Sequence, residues 1–171
     1  MGGRDHLEFF IMVGLIALIM GIMLFPVFRD ANRATTTKHC MANIKVLSQA
    51  SSMYAEDHEG LMERDKWMDA LVPYLEHHEV LHCPVVKEES KEDPRLYGYA
   101  FNSDLSLVDP KGVANPAKVP FLYDSLNLAR NTSDPFLSLP NPGRHPGGEH
   151  GRNVVAYLDG HVRAVPVGSG P

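Results

Sequence analysis

The sequence predicts an α+β chain: one long N-terminal helix, apolar in its first half and amphipathic in its second, packed on a small antiparallel β-sheet head. Three observations lead there. Residues 9–28 carry no charge, and only Gly14, Gly21 and Pro26 interrupt the large apolar side chains. Further on, Cys40, Ile44, Leu47, Ser51 and Tyr54 recur at steps of three and four, the spacing of one helical face. Near the C-terminus, residues 154–158 and 161–165 are two short β-forming runs on either side of Asp159-Gly160.

The chain divides by pattern into a leader at 1–6, an apolar helix at 7–28, its amphipathic continuation at 29–60, and a head at 61–171. Twenty helical residues rise about 30 Å, the thickness of a bilayer's hydrocarbon core. The run is too long for a secretory signal, and no small-residue cleavage site follows it before Pro26. Glu8 stands at its mouth, where a carboxylate is costly and so points to a task. Gly14 and Gly21 are seven apart, on one face, which suits close packing of helices. Pro26 removes one intrahelical hydrogen bond.

In the amphipathic half, Lys38, Asn43, Lys45 and Gln49 lie opposite the apolar stripe, and Gly60 is the expected stop. A short helix over KWMDALVPYLEHH follows, with Asp65 as its N-cap, Trp67, Leu71, Tyr74 and Leu75 as core residues and Pro73 as a breaker. A charged loop spans 85–96. Strands are expected at 97–101 and 119–125, with a long Asn/Ser/Pro/Gly-rich surface loop at 126–150. Asp159-Gly160 suits a two-residue type I′ turn between the last two strands.

The 171 residues carry a net charge of −5, with no dense Lys/Arg stretch, so no nucleic-acid partner is expected. Neither a phosphate loop nor a nucleophile–base order nor a paired-carboxylate cleft stands out, so no enzymatic activity is expected. His77, His78 and His82 beside Cys83 read as solvated helix-end histidines. His145, His150, Asp159 and His161 raise the question of calcium or another metal in the C-terminal loop. Calcium wants several oxygens, and this segment offers few besides Asp159 and Glu149. The reading is therefore no metal and no cofactor, with Asp159 a turn residue and His150 and His161 structural or exposed.

Several ordered motifs go further: Phe25-Pro26-Val27-Phe28, Cys40-Met41-Ala42-Asn43-Ile44-Lys45, Met53-Tyr54-Ala55-Glu56-Asp57, Cys83-Pro84, Tyr97-Gly98-Tyr99, and His150 followed after eight residues by Asp159-Gly160-His161-Val162. Together they cover nearly the whole chain and resemble the type IV pilin-like and pseudopilin family. Its members have a prepilin-type N-terminal helix and a processing-associated His…Asp-Gly motif at the C-terminus. The resemblance implies cleavage by a prepilin peptidase between Gly3 and Arg4, then methylation of the new N-terminus. Glu8 is fifth after Gly3, as in that family; Arg4-Asp5-His6 replaces the family's usual Phe-Thr-Leu.

It implies further that the precursor sits in the inner membrane and assembles with copies of itself, aided by inner-membrane machinery, into a periplasmic or extracellular filament. Glu8 would neutralise a neighbouring subunit's N-terminal amine, and the Gly14–Pro26 stretch would unwind on leaving the membrane. The head would lie outside the cytoplasm. There an even cysteine count reads as a Cys40–Cys83 disulfide, contributing roughly 3–5 kcal/mol; free buried thiols or metal ligation are the alternatives. The expected function is a structural filament subunit of a surface pilus or a secretion pseudopilus. The alternative is a monomeric membrane-anchored extracytoplasmic binding module.

Overall fold

The computed structural model describes residues 3–91 and 93–168, with the backbone alone for 3–5, 7 and 26–34. The chain is mixed α and β and falls into two units, one ending at Thr35 and one beginning at Thr36. Helix α1 (Gly3–His58) supplies all the described structure of the first unit and opens the second. It starts within the expected leader, whose residues 1–2 lie outside the described set.

In the first unit, Glu8–Phe25 has a mean hydropathy of 2.5 and none of it is buried. It is one stretch long and apolar enough to cross a membrane. The backbone stays helical through Gly14, Gly21 and Pro26. Both glycines face open space where a side chain would begin.

In the second unit the expected stripe is the buried one: Cys40, Ile44, Leu47 and Ser51, joined by Ser48 and Ala50. The helix stops as expected, but Gly60 does not make the turn. Glu59 takes the left-handed conformation, φ 58°. Gly60 is needed for proximity instead, since a Cβ there would stand 3.0 Å from the Leu107 carbonyl oxygen.

Helix α2 (Trp67–Leu71) is one short turn, finished by a 3-10 turn at Val72–Tyr74 that carries Pro73. Asp65 does not cap it. The Asn131 side chain, from far along the chain, accepts hydrogen bonds from the Met68 and Asp69 amides at 2.8 and 3.3 Å. A second 3-10 turn (His78–Leu81) leads to helix α3 (Pro84–Glu89), which has Pro in its first turn, where a missing N–H is tolerated.

Five strands follow: β1 (Tyr99–Asn102), β2 (Pro120–Asp124), β3 (Ser133–Asp134), β4 (Arg152–Tyr157) and β5 (Val162–Pro166). Their order is β3-β1-β2-β4-β5, antiparallel except for the short parallel β1–β3 pair. One face packs Tyr99, Phe101, Leu122, Val154 and Ala156 against the α1 stripe, Trp67 and Leu71. An irregularity between Pro120 and Leu122 lets Phe121 join the same core. The other face holds Ala100, Tyr123, Val155 and Tyr157 under Phe136 and Leu139. The 126–150 segment is thus not merely a surface loop: it supplies β3 and a lid over this second face.

The last hairpin forms with a different turn from the one expected. Its final strand pair is Ala156–Val162, and the Gly160 amide donates to the Tyr157 carbonyl at 2.8 Å. Only Gly160 of the turn has positive φ, 87°. A type I′ turn needs it at both central residues. The Tyr157–Gly160 turn therefore ends in a left-handed glycine, the longer of the common hairpin connections.

Candidate functional site

Four elements of the second unit converge on one buried polar cluster. The stripe of α1 contributes Cys40. Cys83 sits just before α3, its amide donating to the Tyr97 carbonyl at 2.7 Å. Asp124 ends β2 opposite Tyr99, so its carboxylate points to the helix side of the sheet. His145 forms an isolated antiparallel bridge with Arg152, each amide donating to the other's carbonyl at 2.8 Å. All four side chains are buried, and their donor atoms lie within 4.8 Å of one another.

The Cys40 and Cys83 sulfurs are 4.0 Å apart and both thiols are free. A disulfide needs about 2.05 Å, so the structure brings the expected pair together without a bond between them. Cys40 Sγ is 3.5 Å from Asp124 Oδ1 and accepts from the Tyr99 hydroxyl at 3.4 Å. Burial pushes the Cys40 thiol well up, while the hydrogen bond from Cys40 brings Cys83 down.

Asp124 is the hub. Its Oδ2 accepts from the Val154 amide at 2.6 Å, and its Oδ1 lies 3.3 Å from Arg144 Nη1. Arg144 also donates to the Gly98 carbonyl at 2.5 Å and to the Ser125 carbonyl. Burial works against the Arg144 charge, but the Asp124 carboxylate together with Cys83, Cys40 and Tyr99 outweighs it and holds the guanidinium above its usual range. His145 Nε2 stands 3.1 Å from Asp124 Oδ2, yet among the described residues neither ring nitrogen has a properly aimed hydrogen bond. This contact is closeness without a hydrogen bond, because an N–H that does not point at its acceptor gains little. A buried polar atom so placed costs about 1–3 kcal/mol.

Gly98 allows the cluster to close. Its φ is 92°, and a Cβ there would meet Val86 Cγ2 at 2.7 Å and Cys83 Cβ at 3.0 Å. Beside the cluster, a surface groove of about 510 Å³ reaches Arg144 between Val86, Leu126 and Pro140.

The other candidate residues lie elsewhere. His150 and Glu149 are exposed. Asp159 and His161 pair with each other at the β4–β5 turn: Asp159 Oδ1 accepts from the His161 amide at 3.1 Å and sits 2.6 Å from its Nδ1. The backbone amide of His161 holds the Asp159 carboxyl below its usual range. The His161 ring stacks on Tyr157 at 4.4 Å. His82 stacks on Tyr97 at 4.3 Å, while His77 and His78 are exposed. Gly3 and Arg4 lie in the α1 backbone, with their side chains outside the described set; Glu8 is exposed.

Asp124, Arg144 and His145 escaped the sequence reading as a group because each comes from a different element. The available sign was Asp124 itself, a lone acid closing the apolar run 119–123. Comparisons with family models, with curated proteins and with solved structures each returned no match.

Proposed function

We propose that this chain is a structural subunit of a helical filament of the type IV pilus or pseudopilus kind, pilin-like in fold, polymerising through the first half of α1. The carrying observation is Glu8–Phe25: eighteen residues, highly apolar and none of them buried. Fully covering one Leu, Ile, Phe or Met side chain contributes roughly 1.5–3 kcal/mol. Such a surface must therefore be covered by lipid or by other copies of itself. A precursor held in the inner membrane and then transferred into a filament uses both covers in turn.

Glu8 at the mouth of this stretch supports assembly over simple anchoring. A carboxylate moved into an apolar bundle needs a cationic partner, and the amine released by cutting before Arg4 supplies one. The ordered motifs, which run from Phe25 within α1 to the last hairpin, also resemble those of the pilin-like family. No catalytic role is proposed. The groove beside Arg144 favours, as a second reading, a membrane-anchored head that binds a ligand without polymerising.

Replacing Glu8 by Ala separates the two readings. Filament assembly should be lost while membrane association of the precursor persists. Filaments that persist unchanged in the variant would remove Glu8 from assembly; a wild-type chain that never polymerises would favour the anchored binder. Mass spectrometry of the N-terminus tests the processing step, with Arg4 as the expected first residue, methylated.

A further inference from the structure

We propose that Cys40, Cys83, Asp124 and His145 form a binding site for one thiophilic divalent ion of the zinc class, which clamps α1 to the sheet and to the start of α3. The donor set is two sulfurs, one imidazole and one carboxylate, all of them protein ligands suited to zinc. The four side chains are buried and their donor atoms lie within 4.8 Å of one another.

The spacing fits a tetrahedral ion. With metal–sulfur bonds of about 2.3 Å and metal–oxygen bonds of about 2.0 Å, two sulfur ligands stand about 3.8 Å apart, and a sulfur and an oxygen about 3.5 Å apart. The corresponding separations are 4.0 Å for Cys40–Cys83 and 3.5 Å for Cys40–Asp124.

His145 is the independent observation. Its side chain is fully buried, and both ring nitrogens lack an aimed hydrogen-bond partner among the described residues. A disulfide would leave both orphaned; an ion takes up one of them. Charge also balances. Binding displaces a proton from each thiol. Two thiolates and the Asp124 carboxylate then face the divalent ion and the Arg144 guanidinium, and the buried cluster sums to zero. Without the ion, two neutral thiols and the Asp124–Arg144 pair sum to zero as well. Arg144, which would repel a bare cation, is thus the counter-charge that makes the loaded site neutral. Arg144 also lines the neighbouring surface groove.

This inference concerns the second unit and does not rest on the filament reading. The test uses the full chain in detergent micelles with reductant, dialysed against zinc and then freed of loose metal. Elemental analysis should find one zinc per chain. Cobalt exchanged into the same protein should show thiolate-to-cobalt charge transfer and the intense visible bands of a tetrahedral ion. His145→Ala should lower affinity by more than the about 10–100-fold typical of changes behind the ligands. Cobalt spectra of the unsubstituted chain need no variant to fold, so they stand even if His145→Ala does not. Substoichiometric zinc in fully reduced, folded protein, or an octahedral cobalt spectrum without sulfur bands, would overturn the proposal. So would a Cys40–Cys83 disulfide whose reduction confers no metal uptake.

Discussion

Arg144 and Asp124 form an ion pair inside the head, Nη1 to Oδ1 at 3.3 Å, with side chains 8% and 0% exposed. The guanidinium also donates to the carbonyls of Gly98 and Ser125. Removing one partner leaves the other charge buried without compensation. Arg144→Met should therefore destabilise the head by about 3–5 kcal/mol. Adding Asp124→Asn should restore part of that loss, because Asn can still accept from the Val154 amide. Urea denaturation of the two single variants and the double variant measures the coupling; additive losses would show that the pair is not a unit.

Gly98 is required twice, by its positive φ and by the closeness of Val86 and Cys83. Strained backbone and overpacking each cost about 1–3 kcal/mol. Gly98→Ala should thus cost at least about 2 kcal/mol in the same experiment. Gly112→Ala, where a Cβ meets open space, is the control and should be close to neutral.

Asn131 caps α2 across a large sequence distance and itself sits at φ 56°. Asn131→Gly keeps the backbone unstrained but loses the cap and the 2.6 Å hydrogen bond from Nδ2 to Asp69 Oδ2, about 1–2 kcal/mol together. Asn131→Ala loses the cap and must also hold a left-handed backbone, so it should be the less stable of the two by about 1 kcal/mol. Thermal unfolding of both variants checks the order; equal stability would contradict it.

Acid sensitivity should trace in part to Asp134. Burial raises its carboxyl, but hydrogen bonds from Ser138, Tyr123 and Leu137 outweigh burial and hold it below the usual range. A carboxyl depressed in the folded state stabilises above its unfolded pKa, about 3.9, and that contribution is lost as pH falls through the lower folded value. Asp134→Asn should cost about 1 kcal/mol at neutral pH, given its partial exposure. The deficit should vanish in strong acid. Stability curves from neutral pH to about pH 2 for both proteins test this; parallel curves would contradict it.

How legible was all this in the chain? The long helix and its buried stripe could be read directly, because Cys40, Ile44 and Leu47 repeat with the helical period and nothing interrupts them. Four strands were legible from β-branched and aromatic runs, and only the two-residue β3 was not. The cap on α2 was not, since Asn131 is far from Trp67 in sequence and local rules favoured Asp65. The hairpin turn was mistaken because Asp-Gly also suits a longer turn in which only the glycine is left-handed. The cluster was half visible: two cysteines suggested a meeting. The imidazole that joins them is His145 rather than His150, and His145 lies in a Pro/Gly-rich stretch whose burial no local pattern announces. Asp124 hid as the last residue of an apolar strand.

The central claim is that uncovered apolar helices assemble with one another. Electron microscopy of material sheared from the surface or released from the periplasm of cells making the chain tests it most directly. Thin, uniform fibres containing this protein, absent from cells making Glu8→Ala, are the predicted result. Separate single-chain particles in the unsubstituted sample, with the helix always in lipid or detergent, would contradict it.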